Sequence, residues 1–161
     1  MLKKIALILI LALAIAVPSF VQAGSAVITG GLRRTDPPTI TMQVCNTSGT
    51  GVTLAAGDVV VWDISTDANF GVDVTTTTTA DIAYVAGVID QTIAYNAYGR
   101  MIVYGYCSHV HVAGTVTAGD NIGTSTTAGK GATTTTANVT YATAMETGTT
   151  AIGAIVHCLG N

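Results

Sequence analysis

Apolar and polar side chains alternate along Pro38-Thr-Ile-Thr-Met-Gln-Val-Cys45. An extended backbone there puts Ile40, Met42 and Val44 on one face and Thr41, Gln43 and Cys45 on the other, the pattern of a half-buried strand. Downstream, the alternation gives way to denser apolar runs. Stretches rich in β-formers at Val52 to Leu54, Asp58 to Ile64, Tyr84 to Ile89, Arg100 to Tyr106, His109 to Val112, Thr115 to Thr117 and Ala151 to Cys158 predict further strands, most of them separated by Gly, Asn, Asp or Ser clusters. Ala137 to Glu146 alone is compatible with a short helix, and its Thr and Val content weighs against one. Together these elements predict an all-β fold, a sandwich or barrel-like domain of many short strands.

An internal echo adds organisation. Thr53-Leu-Ala-Ala-Gly-Asp58 returns as Thr115-Val-Thr-Ala-Gly-Asp120, and each copy leads to a Thr run, Thr75 to Thr79 and Thr133 to Thr136. Each Thr run precedes a Gly-centred apolar strand, Val85-Ala-Gly-Val-Ile89 in the first half and Ile152-Gly-Ala-Ile-Val156 in the second. Ala-Gly-Asp suits a tight turn, because Gly supplies positive φ and Asp bonds to nearby backbone as the next strand starts. The repetition predicts two similar β-units sharing one core, about residues 52–114 and 115–161, preceded by an extension over 24–51 that carries one strand.

The first 23 residues carry a different message. Lys3 and Lys4 precede an unbroken apolar run from Ile5 to Val17, followed by Pro18 and by short side chains at Val21 and Ala23. That is the layout of a secretory signal peptide, cleaved after Ala23 to leave Gly24 first. The run is about 13 residues, short of the roughly 20 that cross a bilayer. Export to the cell surface, periplasm or medium is therefore expected, with no membrane span after cleavage.

Composition narrows the function classes. Only 9% of the 161 residues are charged, while 28 are Thr and 18 are Gly. A net charge of −3 offers no basic surface for nucleic acid. Sparse charge also leaves little like-charge repulsion between copies. In an exported protein, Cys45, Cys107 and Cys158 suggest one bridge and one spare thiol, or three buried thiols acting as small hydrophobes. By strand parity Cys45 and Cys107 leave the apolar faces of their strands, while Cys158 shares a face with Ile152 and Val156, so Cys45–Cys107 is the expected disulfide. A bulge near Ser108 would reverse the assignment of Cys107.

Candidate chemistry is thin. In a regular strand Cys107, His109 and His111 share a face, and His157 from a neighbouring strand would complete four zinc or copper ligands. The spacing matches no known metal motif, and an exposed polar strand face accounts for it better. Asp67, Asn69 and Asp73 alternate so that oxygens converge, but the Gly comes one place early for a calcium loop and the closing acid is missing, which favours a solvated turn. The nucleophile elbow, the phosphate loop and the zinc-protease helix motif are all absent from the sequence. No catalytic residue and no cofactor is therefore expected. Tyr95, Tyr98, Tyr104 and Tyr106 crowd the middle of the chain, where they suit a sugar or a protein partner, or cross-strand packing.

A family resemblance covers roughly residues 52–158. The order Gly57-Asp-Val-Val-Val61, Ala86-Gly-Val-Ile89, Gly99-Arg-Met-Ile-Val-Tyr-Gly105, Val110-His-Val-Ala-Gly-Thr-Val-Thr-Ala-Gly-Asp120, Thr124-Ser-Thr-Thr-Ala-Gly129 and Ile152-Gly-Ala-Ile-Val156 resembles the small β-rich capsid decoration (cement) proteins of tailed phages. The resemblance implies a non-enzymatic protein that stabilises a shell across its subunit junctions, and a virion location. The signal-like leader, the extension and the cysteines depart from that pattern. Two functions follow as expectations. The first is a structural or decorating protein that assembles with itself or onto a larger protein lattice, with Thr115 a candidate edge residue. The second is an exported binding module for sugar or metal.

Overall fold

A computed structural model describes residues 38–65, 69 and 71–158. The expected signal peptide, the rest of the segment before Pro38, and Asp67 lie outside the described residues. The strands are β1 (Ile40–Asn46), β2 (Val59–Trp62), β3 (Asp73–Thr75), β4 (Val85–Ile89), β5 (Tyr98–His111), β6 (Asn121–Thr124), β7 (Gly131–Thr133), β8 (Ala142–Ala144) and β9 (Ala151–His157), with one 3-10 turn at Ala137–Val139. They form a single sheet in the order β1-β3-β2-β4-β5-β9-β8-β6-β7, and β1 also pairs with β5. The first five strands therefore close into a barrel, and the others continue the sheet from the far half of β5. The fold is all-β, as the strand-rich pattern predicts.

The change from alternating to solid apolar runs has a packing cause. Val60, Ala86, Ile89, Met101 and Val103 pack with Val44, Leu54, Val74 and Ile93 in one core. Their neighbours Val59, Val85, Val88 and Ile102 point the other way, into a second core with Ile122, Tyr141 and Ile152. Central strands covered on both faces need apolar residues at every position. β1 is less covered: Val44 is buried while Thr41 and Gln43 are exposed, and both faces are buried only at its end, at Cys45 and Asn46. Full burial of each such Val or Ile contributes about 1.5–3 kcal/mol.

Several expected elements change. Arg100–Tyr106 and His109–His111 are parts of one 14-residue strand, β5, and Val112 follows as an isolated bridge. Val52–Leu54 and Thr115–Thr117 reduce to single bridges, Leu54 with Ile93 and Val116 with Gly148. In place of a helix over Ala137–Glu146 there are the 3-10 turn and β8, as β-branched Thr and Val favour. Two of the strands missing from the expectation, β3 and β7, are three residues each, too short to show a period.

The two Ala-Gly-Asp phrases build the same turn. Asp58 N–H donates to Ala55 C=O (3.1 Å) and Ala55 N–H donates to Asp58 Oδ2 (2.7 Å); Asp120 N–H donates to Thr117 C=O (3.0 Å) and Thr117 N–H to Asp120 Oδ2 (2.9 Å). Gly57 and Gly119 sit at φ +94° and +93°. The pairings after each turn also run in parallel. β3-β2-β4-β5 follows the first turn and β7-β6-β8-β9 the second. β1 runs parallel to β3, and Val112, just past β5, bridges β7 in parallel at Gly131. At the middle of β5, Tyr104 has both Ile40 of β1 and His157 of β9 as partners.

The matched turns give a controlled comparison. A Cβ on Gly119 would meet open space, whereas on Gly57 it would lie 2.3 Å from the carbonyl oxygen of His109. Gly119→Ala is expected to cost about 1–2 kcal/mol, from the left-handed backbone alone. Gly57→Ala should cost clearly more, because backbone of β5 must also move. Urea unfolding of both variants checks this, and equal losses would contradict it.

Tyr141 gives a second test. It is fully buried, and among the described residues its hydroxyl has no hydrogen-bond partner. Tyr141→Phe should leave stability unchanged or raise it by about 1–3 kcal/mol, since a buried unpaired hydroxyl carries its desolvation cost. A marked loss in urea unfolding would show that the hydroxyl is satisfied.

Candidate functional site

One irregularity in β5 decides where the suspected ligands go. Its register with β9 slips between Cys107 and Val110, so Cys107 and Val110 are both buried while Ser108 and His109 are exposed. The slip reverses Cys107, which joins the second core and leaves His109 outside. His111 is paired with Asp58, its Nδ1 2.8 Å from Asp58 Oδ1. His157 stands opposite Tyr104 near the middle of β5. His109 and His111 both approach Gly57, but Cys107 is in the core and His157 is not with them, and among the described residues no three His, Cys, Asp or Glu side chains converge on a metal position.

Of the calcium candidates, Asn69 and Asp73 bond to each other. Asp73 Oδ2 accepts hydrogen bonds from the backbone N–H (2.7 Å) and the side-chain amide (3.1 Å) of Asn69, which closes the turn before β3. The Asp73 carboxylate is thereby used by the fold.

The expected Cys45–Cys107 bridge does not form: all three cysteines are free thiols. The physical reason is distance along the strand. Cys45 pairs with Tyr98 at the start of β5, and Cys107 lies nine residues further on, roughly 30 Å away at the rise of an extended chain. A disulfide requires Cα atoms within about 7 Å. Parity alone had suggested the pair. Burial raises the pKa of Cys107, and burial followed by the nearby Asp73 carboxylate raises that of Cys45. Cys158 packs against the second core, where desolvation pushes it up to about 12.

The tyrosines divide. Tyr95 is exposed on the connection between β4 and β5, and Tyr104 is exposed beside Ile40, itself 48% exposed. Tyr98 and Tyr106 line two adjoining depressions on the outer face of β1 and β5, of about 400 and 460 Å³ respectively. The depressions share Thr41 and Arg100. Strand alternation explains the shared wall, since Gln43 and Arg100 are cross-strand partners and Thr41 faces Ile102. Arg100 bonds to Asp90 at the end of β4 (2.9 Å). Gln91 and Gln43 close the groove at the Tyr98 end, and Ser108 and His109 at the Tyr106 end. The bulge that breaks up the metal set thus turns two polar side chains into this groove. Sequence reasoning missed Arg100, Asp90, Gln43 and Gln91; the alternation of Thr41 and Gln43 was the available clue. Thr115 is exposed beside the Val116 bridge, outside any named strand.

Cys158, partly buried against the second core, generates a chemical prediction. At pH 8 Cys158 in the native chain should react with iodoacetamide about a thousandfold more slowly than an ordinary thiol, because so little thiolate is present. After unfolding in urea all three cysteines should react quickly; a native Cys158 as reactive as free cysteine would contradict its burial. The folded pKa of Cys158 lies above its unfolded value of 9.0, so its contribution to stability is complete below pH 9 and is lost as pH rises toward 12. Cys158→Ala should reduce that alkaline loss.

No family model and no curated protein matches the chain. Among solved structures, the head fiber gp8.5 N base of bacteriophage phi29 superposes with a TM-score of 0.51 at 12% identity, covering 75% of this chain and 96% of that one. At that identity the likeness is one of fold, and it agrees with the resemblance to phage capsid-associated proteins carried by the order of strand phrases.

Proposed function

We propose that the chain is a non-enzymatic structural protein that attaches to a larger protein shell, as a capsid decoration or head-fibre component does, and that it associates with further copies of itself. The observation that carries this reading is the fold likeness to the phi29 head fiber base, which takes in nearly the whole of that chain. The independent resemblance to decoration proteins and the sparse surface charge support it. Virion location is part of the same proposal. Export through residues 1–23 is proposed on the sequence pattern alone. The second reading, a binding module, is favoured by one observation, the polar groove on β1 and β5.

The exposed apolar pair Ile40 and Tyr104, cross-strand partners on β1 and β5, offers a contact for assembly. The full chain at micromolar concentration should form discrete oligomers, sheets or filaments by light scattering and negative-stain microscopy, or bind tightly to a capsid lattice from its own source. Tyr104→Lys should weaken that association at least about tenfold, as loss of an aromatic anchor does, with the circular dichroism unchanged. Thr115→Lys tests the alternative contact beside Val116. A strictly monomeric chain that binds no lattice would refute the proposal.

A further inference from the structure

The groove on β1 and β5 has features that a protein-assembly role does not call for. Along the groove β1 and β5 pair with each other, from Ile40 opposite Tyr104 to Cys45 opposite Tyr98, whereas β3 meets β1 only at Cys45 and Asn46. Along that seam the N–H and C=O groups are used between the two strands, so recognition on this face falls to side chains. Those side chains combine an aromatic ring with groups that both donate and accept hydrogen bonds. Tyr98 is 63% exposed, and its neighbours in the groove are the amides of Gln43 and Gln91, the hydroxyl of Thr41 and the Arg100–Asp90 pair.

Charge selects further. Arg100 is balanced by Asp90 at 2.9 Å, so the groove offers no unpaired cation to a phosphate or a polyanion. Its lining interleaves Met42, Ile102 and the tyrosines with amides, hydroxyls and an ion pair, a mixture that suits no lipid chain. What remains is a ligand with small apolar faces, many hydroxyls and no net charge. A sugar ring has that chemistry: its C–H face stacks on tyrosine, and its hydroxyls need donors and acceptors side by side. Each depression, about 400 and 460 Å³, lies within the roughly 300–1,000 Å³ of ligand clefts.

We propose that this groove binds a neutral oligosaccharide, with Tyr98 as the stacking platform and Gln43, Gln91, Arg100 and Asp90 as the hydrogen-bonding rim. Sugar binding here is independent of the assembly reading, because Ile40 and Tyr104 lie outside the groove lining.

Saturation-transfer NMR on the full chain tests it with four neutral probes, the hexasaccharides of cellulose, starch, chitin and mannan, and with hexagalacturonate as the anionic control. At least one neutral hexamer should bind saturably, with a dissociation constant in the millimolar range or tighter. Tyr98→Ala should weaken it about tenfold, the worth of one aromatic contact, and Gln91→Ala should weaken it measurably. Tyr98→Phe should retain binding, because the ring and not its hydroxyl does the stacking. Tyr95→Ala, exposed but outside the groove lining, should change nothing. Circular dichroism confirms that each variant folds, as exposed positions allow. No saturable binding of any neutral hexamer up to about 10 mM, binding indifferent to Tyr98→Ala, or a preference for hexagalacturonate would each overturn the proposal. None of these outcomes depends on whether the chain assembles.

Discussion

The pairing along β5 is the constraint on which the rest of the structure depends. One strand of 14 residues gives its first half to the barrel with β1 and β4 and its second half to β9. Met101 and Val103 fill the barrel core while Ile102, Cys107 and Val110 fill the second one. Neither core is complete without this strand. Its bulge fixes which side chains reach solvent beyond Cys107. A proline in the middle of β5 would remove ladder bonds from both cores together.

Asp58 ties the first turn to the second half of the sheet. One carboxylate oxygen accepts the Ala55 N–H, and the other lies 2.8 Å from His111 Nδ1. The backbone does the same work, with His111 N–H donating to Gly57 C=O (2.9 Å) and Val59 N–H to Gly129 C=O (2.9 Å). At Asp120 the second oxygen-bearing partner is instead the hydroxyl of Thr133, 3.1 Å from Oδ2. The first copy of the turn therefore makes a long-range tie where the second makes a local one.

How much could be read from sequence follows from the range of each interaction. The all-β class and the boundaries of β1, β4 and β9 were legible, because β-branched runs bounded by turn residues are local signals. The shared turn geometry was legible too, since Gly57 and Asp58 supply it within four residues. The continuity of β5 was not: Ser108 and His109 look like a break in an apolar run, and only pairing with β9 carries the strand through them. The site was less legible than the fold. Tyr98 and Tyr106 stood out as aromatics, but Gln43 meets Arg100 only through the β1–β5 register, and Asp90 reaches Arg100 from the end of a third strand. The mistaken disulfide came from the same gap, since parity tells which way a side chain points and nothing about how far along the strand its partner lies.

The meeting of Ile40 and His157 at Tyr104 has a mechanical side. Polypeptide enters the described sheet at β1 and leaves it after β9 from neighbouring points on one strand. Entry and exit are thus partners of one residue midway along β5. A load applied between entry and exit would act across the midpoint of β5 and leave most of the barrel out of its path. A sheet built this way can be tethered without being stretched.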